Sequence, residues 1–179
     1  MAASAHSARN LPSQADEDRF WTLIESAWSR VGSAAANVRQ VLTNRNPDDD
    51  DLDLYIFDPW LDAFLDSLRG ECASLTSQDL TDLDRVLERK LYDIDRADIQ
   101  EVTDGSDDGF LYCRGFIVAL GRAFYEAVAA DSAMAVPDAE CEGMGYFFAR
   151  LHHERFGTFP DTGSGISRES CSNPVGWPD

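Results

Sequence analysis

The stretch Ser106–Val128, SDDGFLYCRGFIVALGRAFYEAV, decides the fold. Apolar or small residues recur at Phe110, Cys113, Ile117, Leu120, Phe124 and Ala127, an alternation of three and four that draws one stripe along a helix. Phe116, Ala119, Ala123 and Val128 widen the stripe, which predicts a single and largely buried helix. Ser106 is placed to cap it. Asp107 and Asp108 then fall in the first turn, where the helix dipole favours negative charge. Gly115 and Gly121 lower helix propensity, so another backbone is expected to approach closely there.

Working outward, Asp16 is the predicted N-cap of a first helix with the stripe Phe20, Ile24, Ala27, Trp28 and Val31, stopped by Gly32. The pattern weakens after Ser33, where Ala34, Val38, Val41 and Leu42 suit a shorter helix. The run NPDDDDLD, Asn46–Asp53, repels itself, so 33–57 reads as a loop-rich acidic insertion ending in the apolar patch Leu54–Phe57. Asp58-Pro59 restarts a helix carrying Trp60, Leu61, Phe64, Leu65, Leu68 and Cys72. Thr76 with Asp79 approximates a capping box for the next. Its stripe is Leu80, Leu83, Leu87, Leu91 and Ile94, with Asp82, Arg85, Glu88 and Arg89 expected to face water. A short helix over Ala97–Val102 follows. Beyond the central stretch, Asp131–Pro137 is a turn, and Asp138–Phe156 is expected as one last helix ended by Gly157. No hairpin turn and no alternating strand pattern occurs. The sequence therefore predicts an all-α protein: a single compact helical-bundle-like domain of about five to seven helices over 16–157. Segments 1–15 and 158–179, small, polar and rich in Ser and Gly, are expected to be disordered. Removing Thr158–Asp179 should then leave stability nearly unchanged.

The 179 residues carry 33 Asp and Glu against 15 Lys and Arg, a net charge of −18. Such a surface repels phosphate, which weighs against direct binding of nucleic acid or of an anionic membrane, and it suits a basic protein partner. Lys90 is the only lysine beside the arginines, a bias best ascribed to codon usage in a GC-rich genome. Cys72, Cys113, Cys141 and Cys171 form no CxxC pair, and three of them fall on expected core faces, so no disulfide framework is indicated. The first residues have no apolar core, so no signal peptide is expected. These features predict a reduced, soluble, cytoplasmic protein.

The residues that could carry chemistry are few. Asp104, Ser106, Asp108 and Gly109 follow part of a calcium loop, but the position that needs a bidentate Glu is Gly115, so no calcium site is expected. Arg114 on so apolar a helix needs a partner, and a structural ion pair with Asp107 or an acid of another helix is the simplest. The alternative is a pocket for a small ligand or a hydrolytic reaction, built on Asp107, Asp108, Arg114 and Arg122. His152 and His153 point about 100° apart on a helix and cannot share a metal easily; they are expected at the surface or its boundary. Cys113 lies on the core stripe, where a thiol is inert. No catalytic residue, metal site or cofactor is predicted.

Three stretches resemble a bacterial domain-of-unknown-function family, DUF4240: FWTLIESA at Phe20–Ala27, the central stretch, and CEGMGYFFARLHHERFG at Cys141–Gly157. Ser106, Asp107, Asp108, Phe110, Arg114, Gly121, Arg122, Cys141 and Glu142 match the pattern of that family. Tyr112-Cys113 and Phe116-Ile117 depart from it. The resemblance implies a helical domain that also occurs beside regulatory modules, including proteins labelled molybdate-metabolism regulators, and implies no reaction. The expected function is thus a non-catalytic interaction or regulatory domain. A nucleic-acid mimic that occupies a DNA-binding protein is a further reading of the same charge.

Overall fold

The computed structural model describes residues 10–48, 58–103 and 106–177, and of Asp58, Asp107 and Asp108 the backbone alone. The described residues are all-α, with no strand. In chain order the helices are α1 (Gln14–Val31), α2 (Ser33–Thr43), α3 (Asp58–Glu71), α4 (Ser77–Asp93), α5 (Ala97–Thr103), α6 (Asp107–Ala119), α7 (Arg122–Ala130), α8 (Glu142–Gly145) and α9 (Phe147–Phe156), with one 3-10 turn at Ser132–Met134. The acidic run from Asp49 to Phe57, and the segment up to Arg9, lie outside the described residues.

Most elements form where the sequence places them, with refinements at their ends; within 33–57, read as loop-rich, Ser33–Thr43 is a helix. The cap of α1 is Ser13, and Asp16 is instead the third helical residue, closing a capping box with it. The box expected at Thr76 and Asp79 is present on α4. Helix α6 lies at the centre: Phe110, Leu111, Cys113, Phe116, Ile117, Val118 and Leu120 are all buried. It packs chiefly against α8, while α1 packs on α3 and α4 on α9. Trp28 of α1 stacks on Phe64 of α3, with ring centroids 4.6 Å apart.

Two expected helices are each divided, which is why the helices outnumber the prediction. The central stretch breaks at Leu120-Gly121. Gly121 adopts φ 96°, a left-handed conformation that an L side chain rarely takes. A Cβ there would also collide with the Arg39 and Glu25 side chains. The carbonyls freed by the break find donors: Trp28 Nε1 donates to Ala119 O at 2.7 Å, and Arg39 donates to Leu120 O from Nε at 2.9 Å and Nη2 at 2.7 Å. At Gly115 the predicted close approach is real, since a Cβ would stand 2.7 Å from the Cys141 carbonyl oxygen. The expected helix over Asp138–Phe156 starts only at Glu142 and is interrupted at Tyr146. Residues 138–141 instead run across α5 and α6, with Asp138 N–H donating to Thr103 O and Cys141 N–H to Tyr112 O, each at 3.0 Å.

The C-terminal segment departs most from expectation. Residues 158–177 form a strap without helix that lies against the body. Arg168, 6% exposed, pairs with Asp84 at 2.9 Å and with Glu88 at 2.9 Å, and donates to Gly145 O at 2.8 Å. Thr162 and Ser164 hydroxyls donate to the other oxygen of Glu88 at 2.6 and 2.7 Å. Asp95, fully buried, accepts from the backbone N–H groups of Cys171, Ser172 and Asn173 and from Trp177 Nε1, at 2.7–3.1 Å. Arg85 and Glu88, expected to face water, face this strap: Arg85 Nε donates to Thr162 O at 2.6 Å. A segment poor in apolar residues is thus fixed by buried charge rather than by hydrophobic area, a means that composition does not register.

Candidate functional site: an anionic groove beside the head of the central helix

The two backbone hydrogen bonds of the 138–141 segment fix which of its side chains turn inward. Ala139 and Cys141 are buried, and Asp138 and Glu140 are exposed. Asp138 takes φ 54°, a left-handed position that Asp tolerates better than most residues. Opposite stands α3, presenting Leu61, Asp62 and Leu65. Between them lies a cavity of about 390 Å³ lined by those three residues with Asp138, Glu140, Cys141, Glu142 and Gly143. Past Gly143 it adjoins a smaller one of about 140 Å³, shared by Leu65 and Gly143 and completed by Asp66, Arg69, Phe147 and Arg150. The groove is anionic at one end and carries guanidinium groups at the other. Glu140 also reaches the first turn of α6, because a Cβ built on Gly109 would stand 3.1 Å from Glu140 Oε1.

The carboxylates of Asp62, Asp138 and Glu140 have no ion-pair partner among the described residues, and Glu142 meets only Arg150, at 3.8 Å. Their field acts on nearby thiols. Burial first, then the Glu140 charge, pushes the Cys113 thiol up to about 11. Burial, with the Asp62 charge adding, pushes Cys141 up to about 12. Cys72 is likewise pushed up to about 12 by burial. These thiols stay protonated and are poor nucleophiles. Among the described residues no group of three His, Cys, Asp or Glu is placed to hold a metal ion. The acids ring a groove instead of converging on a point, so the arrangement suits an extended cationic group.

The structure does not gather the sequence candidates into one pocket. Arg114 is fully buried, and its guanidinium faces the strap, donating to Leu91 O and Arg168 O at 2.9 Å each and to Ser170 Oγ at 3.3 Å. The expected ion pair is therefore replaced by carbonyl partners. Burial lowers the Arg114 pKa, and the charge of Asp95 opposes this. Arg122 is on the surface, 2.7 Å from Glu126 and 3.7 Å from Asp18, on the wall between two open cavities of about 680 and 570 Å³ beside α1. The backbone of Asp107 and Asp108 opens α6 near Glu140; their side chains lie outside the described residues, as does the calcium-like start at Asp104. From Asp107 onward the chain is helical, so the rest of a calcium loop cannot form.

Sequence reasoning missed several polar groups. His152, expected at the surface or its boundary, is 4% exposed. Its Nε2 lies 2.7 Å from Ser77 Oγ and its Nδ1 lies 2.6 Å from Thr158 O, so it pins the start of the strap to the start of α4. Asp84 could have been suspected, since it adjoins the Leu80–Leu83–Leu87 stripe. Nothing in the local sequence of Arg168 marks its burial. Burial alone would lower the Arg168 pKa; Asp84, then Glu88, reverse that and hold it raised.

A protein-family model described as "Protein of unknown function (DUF4240)" matches residues 15–153. The chain belongs to that family. No curated protein matches it, and no solved structure does. Among the described residues, no helix is long and apolar enough to cross a membrane.

Proposed function

We propose that this member of the family is a non-catalytic, cytoplasmic interaction domain with a regulatory role, whose anionic exterior receives a basic protein partner. One observation carries the reading: every described Lys and Arg is already engaged. Arg45, Arg114 and Arg155 are held by backbone carbonyls. Each of the others meets at least one carboxylate of the chain. With 33 acids against 15 cations in the sequence, the remainder is uncompensated negative charge, which steers a cationic partner and repels phosphate. Among the described side chains of the central helix, the buried, protonated Cys113 thiol and the carbonyl-bound Arg114 weigh against a nucleophile or an anion site there.

Affinity capture from the source cell at low and at high salt, followed by identification of what co-purifies, tests this. The reading expects one or a few basic proteins at low salt that salt releases. Recovery of nucleic acid, or of an acidic protein retained at high salt, would contradict it.

A further inference from the structure

We infer that the groove between α3 and the 138–143 segment is where an arginine-bearing segment of that basic partner docks, an inference that rests on the function proposed above. The groove has an apolar floor and an anionic rim. Leu61, 8% exposed, with Leu65 and Cys141, offers the floor along which the methylene stem of a long cation can lie. Asp62, Asp138 and Glu140 supply acceptors that no cation among the described residues uses. A volume of about 390 Å³ exceeds what one side chain fills, so neighbouring residues of the segment enter too.

Charge complementarity fixes the occupant. Four carboxylates face the larger cavity and none of its lining residues is basic. The adjoining cavity contains Arg69 and Arg150 beside Asp66, and both guanidinium groups already meet carboxylates, Glu154 and Glu142, so the larger cavity is where a cation finds free acceptors. Arginine is favoured over lysine because its planar fork meets carboxylates in pairs and sheds water more readily than an ammonium does. Gly143 keeps the junction open: a Cβ there would stand 2.7 Å from Leu65 Cδ1. The exterior attracts the partner from any side, whereas this groove selects its anchoring side chain.

The test is a fluorescence-anisotropy titration of the full chain with labelled oligo-arginine, oligo-lysine and oligo-glycine peptides. The wild type is expected to bind oligo-arginine saturably, oligo-lysine less tightly and oligo-glycine not at all. The pair Asp62→Asn/Glu140→Gln should weaken oligo-arginine binding by about tenfold, roughly 1.4 kcal/mol. The pair Asp48→Asn/Glu101→Gln removes the same charge from exposed sites elsewhere and should change it by about twofold or less. Gly143→Leu, or Gly143→Ala if the leucine variant melts early, removes no charge and should also weaken binding. Equal weakening by both acid pairs, or full binding by a folded Gly143 variant, would overturn the groove while leaving the proposed function standing. A wild type that binds neither basic peptide at low salt would defeat the proposed function itself.

Discussion

Arg114 shows how much a single residue hides. Its type and position on a buried stripe announce that it must be satisfied. The partners were not legible because they are carbonyls of Leu91 and Arg168, and no sequence pattern encodes a carbonyl 54 residues away. Arg114→Ala leaves these acceptors unpaired and opens a void in the core, a loss of about 3–5 kcal/mol measured by chemical denaturation. Arg114→Lys recovers part of it, since one ammonium cannot serve two separated acceptors as a fork does. Arg122→Ala, by contrast, should leave the melting temperature unchanged, because its pairs with Glu126 and Asp18 are solvent-exposed. An Arg114→Ala protein as stable as the wild type would remove the structural role assigned here.

At the scale of the element, periodicity gave the buried faces correctly and the breaks poorly. The stripe from Phe110 to Phe124 is continuous in the sequence because α6 and α7 both face the core across the break. What separates them is one backbone dihedral at Gly121. Gly121→Ala must place a methyl group at φ 96° beneath the Arg39–Glu25 pair, and should cost about 1–3 kcal/mol in thermal or urea unfolding. An unchanged midpoint would mean that the break does not need glycine. Caps were more legible, since they depend on residues three apart. The Thr76 hydroxyl, then Arg19, holds the Asp79 carboxyl down to about 2 from an ordinary 3.8. The folded value is the depressed one, so its contribution is present above about 3.8 and is lost as pH falls through about 2. Asp79→Asn should flatten the fall in stability over that window, and an identical acid profile for the variant would contradict the assignment.

At the scale of the whole molecule, a set of arginines serves the backbone of the fold itself. Arg39, Arg45, Arg96, Arg114 and Arg155 each place guanidinium donors on carbonyls at or just beyond a helix C-terminal turn, where the dipole favours positive charge. That use suits a fork better than a point charge and gives the excess of arginine a structural purpose beyond codon usage. The all-α class was legible because hydrophobic periodicity is local. The strap was not, because its anchors, Arg168 and the backbone N–H groups on Asp95, act on residues some eighty positions away. Buried charge binds this strap into the fold, so that removing it strands Asp84, Glu88, Asp95 and Arg114 together. Urea unfolding of the full chain against one ending at Gly157 tests it most directly. The shortened chain is expected to lose cooperative unfolding, and a shortened chain with the midpoint and slope of the full one would contradict that role of the strap.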